Sequence, residues 1–190
     1  MIEFFNYQYN KTMVSIQLGE YHVTEDDIII HTILGSCISV CLYVPGKNIA
    51  GMNHFMLPEN PMNDVSNKPG HYGINSMEIL FSEFVKKGIP IRALKAKVFG
   101  GGNITGPKKV NNIGDNNIKF ISEFLKTENI QVTDHDVGGE SGRKILYFTR
   151  SHEVLVGKTK ETVKIKSKEE MYADKLRNKI TAEPDITFFK

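Results

Sequence analysis

The sequence predicts a layered α/β fold. Strand-like β-branched runs alternate with two segments of helical periodicity, and glycine-rich turns separate these elements. The resulting order, β, α, β, α, β, is typical of domains that pack helices against a sheet. This order alone does not fix the sheet as parallel.

The first two strands meet at a cysteine. Residues 28–30 begin one strand-like run, and residues 38–44 form a second run that is β-branched and apolar. Gly35 and Ser36 mark a break between the two runs. Cys37 is therefore expected at a turn between strands.

The second strand should fold back as a hairpin. Residues 45–48, Pro-Gly-Lys-Asn, have the composition of a turn, and a strand-like stretch begins near Ile49 and stops before Pro58. If residues 43–44 pair with residues 49–50, the chain returns His54 to the neighbourhood of Cys37. Spacing alone does not prove contact, but this topology favours it.

Two helices follow. The first begins at Ile74 and is closed by Gly88, and the second covers residues 116–126, after a strand and glycine loop that read AKVFGGG. A further glycine-rich turn and strand, DVGGESGRKILYF, come next. The apolar positions at helical spacing are Met77, Leu80, Phe81 and Phe84 in the first helix and Ile118, Ile121, Phe124 and Leu125 in the second.

Two segments are expected to lie outside this core. Residues 58–70 are polar and rich in proline, which predicts a surface loop and a candidate lid beside His54. Residues 158–190 form an extension to a domain of residues 1–157, with a capping box of Ser167 and Glu170 before a helix that ends at Pro184. Its apolar stripe is Tyr172, Leu176 and Ile180. It either packs on the core, anchored by Phe188 and Phe189, or serves as a docking arm.

Cys37 and His54 are the candidate catalytic pair. A thiol at a turn can serve as a nucleophile, and an imidazole at a nearby strand end can serve as the base that activates it. Backbone N–H groups at such a turn, here those of Ser36 and Cys37, can point at one oxyanion. The alternative is structural, because buried cysteines are often small apolar residues and single histidines often serve the fold.

Six segments carry a family resemblance. TILGSCISVCLY, GMNHFMLP, YG with NSMEILFSEFVKKG, AKVFGGGNI, IGDNNIKFISEFLK and DVGGESGRKILYF occur in this order between about residues 13 and 156. Together they resemble the CheD family, the chemoreceptor glutamine deamidases of bacterial chemotaxis. The resemblance implies a layered sandwich of mixed β-sheet and flanking helices, related to toxins that deamidate Rho GTPases.

The resemblance also implies an activity and partners. It implies a cysteine hydrolase that converts glutamines to glutamates on the cytoplasmic helices of chemoreceptors and that also hydrolyses glutamyl methyl esters. It implies a partner in CheC, a phosphatase of the chemotaxis response regulator. Two other functions stay open: a binding module whose occupied site regulates such a partner, and a thiol amidase or peptidase with another substrate.

The family's catalytic cysteine and histidine fall on Cys37 and His54, and its threonine falls on Thr32. Thr32 would bind the second ring nitrogen of His54 and fix its orientation. Its odd offset of five from Cys37 puts the two on opposite faces of a straight strand, unless Gly35 introduces a kink. His31, at an even offset, is the rival assignment, and a solvent-facing strand residue is its plain reading.

The candidate substrate contacts lie near the glycine clusters. Gly101 and Gly102 either let two backbone segments approach or let an extended substrate lie near Cys37. Arg143 is a candidate contact for an acidic receptor surface, with a solvated strand end as the alternative, and Asn53 is also assigned to substrate binding. Neither cluster has the spacing of a dinucleotide fingerprint or a P-loop, so no nucleotide cofactor is expected.

The remaining cysteine is predicted to be core. On one strand Cys41 would lie about 13 Å from Cys37, too far for a disulfide. A zinc site made of both cysteines with His31 and His54 matches no common ligand spacing, so no metal is expected.

Composition favours a cytoplasmic enzyme. With 190 residues, 40% of them hydrophobic, the chain can bury one sizeable core. A net charge of +2 argues against binding nucleic acid or a membrane surface. Two cysteines fit a reducing compartment, and the first residues lack the pattern of a signal peptide.

Overall fold

The computed structural model describes residues 1–56, 71–104 and 113–159, together with residue 171. The predicted loop at residues 58–70 and the predicted C-terminal helix lie outside the described residues, apart from Met171. The strands are β1 (Ile2–Asn6), β2 (Lys11–Ser15), β3 (Tyr21–Thr24), β4 (Ile29–Leu34), β5 (Ile38–Tyr43), β6 (Ala50–Asn53), β7 (Lys95–Gly100), β8 (Gln131–Val137), β9 (Gly142–Phe148) and β10 (Val154–Thr159). The helices are α1 (His71–Lys86) and α2 (Ile113–Thr127), with a short 3-10 turn at Ile91–Ala93.

The strands form two five-stranded sheets. The outer sheet has the order β1-β2-β4-β9-β10, and the central sheet has the order β3-β6-β5-β7-β8. Each sheet is mixed, because β2 and β4 are parallel in the first and β7 and β8 are parallel in the second, while the other pairs are antiparallel. The predicted α/β class is confirmed, with two mixed sheets and few helices.

The central sheet is covered on both faces. Alternate residues of β5 point to opposite sides, as the strand repeat requires. Val40 and Leu42 pack with α1 and α2 in one core cluster, whereas Cys41 packs with residues of the outer sheet in a second cluster. The layers are therefore helices, central sheet and outer sheet.

Both predicted helices are present and begin three residues earlier than expected. α1 buries all four apolar positions predicted for it, and Gly88 follows its end with a φ of +76°, a conformation that favours glycine. The predicted hairpin is also present, since Tyr43 pairs with Ala50 across the turn. β10 continues to Thr159, past the expected boundary at residue 157.

The break at Gly35 and Ser36 does more than separate two strands. β4 belongs to the outer sheet and β5 to the central sheet, so the turn at residues 35–37 carries the chain from one sheet to the other. The turn between β8 and β9 does the same, and Gly138 and Gly139 in it have φ values of +75° and +71°. The order of elements in the sequence does not contain this information.

No helix in the described ranges is long and apolar enough to cross a membrane.

Candidate active site

Strand pairing brings the segments of Cys37 and His54 side by side. Ile38 and Phe55 exchange two backbone hydrogen bonds of 2.9 Å each, extending the pairing of β5 with β6. Cys37 immediately precedes Ile38, and His54 immediately precedes Phe55. Both side chains are buried, with 0% exposure for Cys37 and 5% for His54.

Thr32 contacts the His54 ring. Its Oγ1 lies 2.8 Å from His54 Nδ1 and 2.9 Å from the carbonyl oxygen of Ile16. A hydroxyl has one proton, and the carbonyl can only accept, so Thr32 donates to Ile16 and accepts from His54 Nδ1–H. This arrangement selects the tautomer in which Nε2 carries the free lone pair.

The odd offset between Thr32 and Cys37 is not an obstacle, because Cys37 lies beyond the end of β4, in the turn that leads to the other sheet. Thr32 shares the inner face of β4 with Ile30 and Leu34, which belong to the core cluster between the sheets. The turn at residues 35–37 then takes the chain to the central sheet. An offset counted along one straight strand does not apply across this turn.

His31 lies on the other face of β4. Its Nδ1 is 3.3 Å from Ser15 Oγ, and the next residue on that face, Ile33, is exposed. Burial and, to a lesser extent, the nearby Lys144 lower the pKa of His31 to about 4. Thr32, and not His31, is therefore the residue that holds His54.

Burial lowers the pKa of His54 to about 3, because it removes the water that would surround the charged ring. The ring is neutral at neutral pH. Its Nε2 is buried and has no hydrogen-bond partner among the described residues. The site therefore holds a neutral imidazole with an unused basic nitrogen.

The backbone of His54 is fixed from the side of β3. Its N–H donates to the Glu20 carbonyl at 3.0 Å, and its carbonyl accepts from Gly19 N–H at 2.8 Å. Residues of an inner antiparallel strand turn their backbone groups alternately to the two neighbouring strands, and those of His54 face the β3 side. The ring orientation thus depends on the outer sheet through Thr32 and on the β3 segment through the main chain.

Asn53 precedes His54 and provides a side-chain partner for the main chain of β5. Its Oδ1 accepts from Val40 N–H at 2.9 Å, its carbonyl accepts from Ser39 Oγ at 2.6 Å, and its Nδ2 donates to Ser76 Oγ at 3.1 Å. The residue is fully buried. The structure thus gives this predicted substrate contact a structural part: it ties β5 and α1 to the segment that carries His54.

Gly101 and Gly102 hold the turn that carries Cys37. The N–H of Gly101 donates to the Cys37 carbonyl, and that of Gly102 donates to the Gly35 carbonyl, both at 2.7 Å. A Cβ atom at the preceding Gly100 would collide with the Cys37 carbonyl oxygen. Of the two roles predicted for these glycines, the structure shows the close approach of backbone to backbone.

Arg143 is buried and turned into the molecule, with 3% of it exposed. Its Nε and Nη2 donate to Asp136 Oδ1 at 3.0 and 2.8 Å, and Nη2 and Nη1 donate to the carbonyl groups of Gly138 and Ser141. The guanidinium therefore braces the β8–β9 turn. It is neither a solvated strand end nor placed to meet an acidic surface.

Cys41 is core, as predicted. It is fully buried between the two sheets, and burial raises the pKa of its thiol. Neither cysteine forms a disulfide. The described part of the chain contains no group of three or more His, Cys, Asp and Glu residues placed to hold a metal ion.

Asn117, for which no role was predicted, contacts the turn that carries Cys37. It is fully buried on α2, and its Nδ2 donates to the Ser36 carbonyl at 2.8 Å. The available signal was a polar residue in the inward row of α2, whose buried members are Gly114, Asn117, Ile121 and Leu125.

The chain is similar to known proteins of one family. A model of the family described as CheD chemotactic sensory transduction matches residues 56–158. A protein of Methylobacillus flagellatus named probable chemoreceptor glutamine deamidase CheD is 39% identical, over 96% of this chain and 93% of its own length. This chain belongs to the CheD family.

Other CheD relatives give the same result. Proteins with the same name from Laribacter hongkongensis and Bordetella parapertussis are 38% and 40% identical, over 92% and 82% of this chain and 86% and 74% of their own. The crystal structure of a Bacillus licheniformis hypothetical protein, YfiH, has a TM-score of only 0.33 at 15% identity. The match covers 57% of this chain and 36% of that one, and it carries no argument. The family match begins after Cys37 and His54, so their roles depend on the geometry above.

The buried histidines predict acid sensitivity. A histidine whose pKa falls on folding is neutral in both states above about pH 6.5. As pH falls from there toward the folded pKa, the unfolded state binds more protons than the folded state, so the free energy of unfolding declines. We expect His31→Gln to flatten the decline in unfolding free energy between pH 6.5 and 4.5. The difference should be up to about 1 kcal/mol per pH unit, reduced by solvent screening of a half-buried ring. Urea unfolding of wild type and His31→Gln at several pH values measures this difference. Equal slopes of unfolding free energy against pH in the two proteins would contradict the lowered pKa of His31.

Proposed function

We propose that this chain deamidates glutamine side chains of chemoreceptors, with Cys37 as nucleophile, His54 as general base and Thr32 as the residue that orients it. The observation that carries the proposal is the buried Thr32–His54 hydrogen bond. It leaves His54 Nε2 as a free base on the segment paired with that of Cys37. The family membership and the names of the relatives supply the substrate class.

The first step forms a tetrahedral intermediate. His54 Nε2 takes the proton of the Cys37 thiol as the sulfur attacks the glutamine carboxamide carbon. The imidazole gains a positive charge on Nε2 while Nδ1–H remains bonded to Thr32. The oxyanion that forms is assigned to the N–H groups of Ser36 and Cys37.

The second step releases ammonia. The imidazolium returns its proton to the departing nitrogen, the C–N bond breaks, and a thioester with Cys37 remains. Water then gives one proton to His54 Nε2 and attacks the thioester carbon. Collapse expels the Cys37 sulfur, which recovers the proton, and leaves glutamate. A glutamyl methyl ester would reach the same thioester with loss of methanol, so we extend the proposal to receptor methyl esters.

A neutral resting imidazole fits this sequence of steps. Burial keeps the His54 pKa low, so the imidazole is a base at neutral pH and carries charge only during the reaction. Hydrogen bonds between nucleophile and base often form fully only when substrate is bound. We therefore assign proton transfer to the substrate complex rather than to a resting thiolate–imidazolium pair.

The setting of the reaction is part of the same proposal. Chemoreceptor helices of this kind are cytoplasmic, so we place the protein in the cytoplasm and assign a CheC-type phosphatase as its regulatory partner. The relationship to toxins that deamidate Rho GTPases stays a prediction, as does the division at residue 157.

Peptide mass spectrometry tests the proposal. Wild type and Cys37→Ala are incubated with receptor cytoplasmic fragments, with Cys41→Ala as the matched control at the other cysteine. We expect a gain of about one dalton at defined glutamines with wild type and Cys41→Ala, but not with Cys37→Ala. Equal spectra for wild type and Cys37→Ala would overturn the proposal and favour a binding module. Cleavage of the receptor backbone would instead indicate a peptidase.

A further inference from the structure

The turn that carries Cys37 is held by three consecutive carbonyl groups. Those of Gly35 and Cys37 accept from the backbone N–H groups of Gly102 and Gly101. The carbonyl of Ser36, between them, accepts from the Asn117 side chain. Two of the three contacts are made by main chain, so only the third depends on a side chain.

Asn117 reaches this carbonyl from a distant part of the chain. It is 81 residues from Ser36 and lies on the inward row of α2, where the other buried members are Gly114, Ile121 and Leu125. An amide at 0% exposure in such a row is costly unless its polar groups are bonded. A leucine would suit this row better, so the position of the amide indicates a task at the turn.

The contact fixes the direction of the Cys37 N–H. The carbonyl of Ser36 and the N–H of Cys37 belong to one planar trans peptide group, in which they point in opposite directions. Holding the carbonyl from α2 therefore aims the N–H away from α2. A hydrogen bond to the carbonyl also polarises the peptide group, which strengthens its N–H as a donor.

We infer that Asn117 is a positioning residue for catalysis. It holds the Ser36–Cys37 peptide group so that the Cys37 N–H donates to the oxyanion formed at the substrate carboxamide. This inference deepens the proposed function and rests on it. Asn117 acts through the peptide group and does not touch the reacting atoms.

Kinetics of full-length variants test the role. Asn117→Leu keeps the branching at Cγ, at a larger volume, and suits the apolar row. Asn117→Ala truncates the side chain, and Asn117→Ser keeps a shorter donor. The control is Asn116→Ala, a half-buried neighbour on the same helical turn. We expect the Leu and Ala variants to lose on the order of 10²-fold in kcat with KM for the receptor fragment unchanged, because oxyanion donors act in the transition state. The Ser variant should recover part of the loss.

Alkylation of Cys37 by iodoacetamide separates positioning from general disruption. This reaction forms a C–S bond and expels iodide without an oxyanion, so its rate should match wild type in every Asn117 variant that has lost kcat. An unchanged kcat in the Leu and Ala variants would overturn the inference while leaving the proposed function intact. Parallel losses of kcat and alkylation rate, or unfolding of all three variants, would reduce Asn117 to a structural residue. Wild type without Cys37-dependent ammonia release would overturn the proposed function, and this role with it.

Discussion

His54→Asn is expected to lower kcat for glutamine deamidation by on the order of 10³- to 10⁴-fold, about as much as Cys37→Ala. The asparagine amide can still donate to Thr32 Oγ1 in place of Nδ1–H, so the hydrogen bond at 2.8 Å has a replacement. What it lacks is the basic Nε2. The loss therefore measures proton transfer rather than the orientation of the ring.

The double variant Cys37→Ala/His54→Asn decides whether the two act as one unit. Residues that share one chemical step give losses that do not add, so the double variant should be no slower than Cys37→Ala alone. The rate of ammonia release is measured for the two single variants and the double variant. His31→Gln is the matched control, because the His31 ring lies on the other face of β4. Multiplying losses in the double variant, or near-normal activity in His54→Asn, would contradict the assignment of His54 as base.

The local elements of this fold were predictable from the sequence. The spacing of apolar residues and Gly88 predict the helices, and the turn at residues 45–48 predicts the hairpin. These signals lie within a few residues of one another, where the chain geometry is constrained. The assignment of β4 and β5 to different sheets was not predictable, because it depends on pairings such as β4 with β9, far along the chain.

The site was predictable in part for the same reason. The neighbourhood of Cys37 and His54 followed from one hairpin, but the partners of Asn53, Asn117 and Arg143 did not. Arg143 had a usable local signal, since Asp136 stands opposite it across the glycine turn and the two could be expected to pair. The signal for Asn117 was its polar side chain in an apolar row of α2. Such a side chain must have a hydrogen-bond partner, but the sequence does not identify that partner.

Thr32→Val is expected to lower kcat on the order of 10²-fold, because valine keeps the shape of threonine but removes the hydroxyl that selects the His54 tautomer. The change leaves His54 Nδ1–H and the Ile16 carbonyl without this partner, at about 1–3 kcal/mol of stability. Nε2 would then carry the proton in part of the population and could not act as the base.

Thr32→Ser separates the hydroxyl from the methyl group. Serine retains the donor to Ile16 and the acceptor for His54, so its kcat should stay within about threefold of wild type, although the lost methyl lowers stability. Steady-state kinetics together with thermal unfolding of both variants test this. If valine and serine lower kcat equally, Thr32 contributes packing and the tautomer of His54 is set elsewhere. If only Thr32→Val lowers kcat, the Thr32–His54 hydrogen bond links the outer sheet to the chemistry at Cys37. The enzyme then works only while the two sheets keep their relative position.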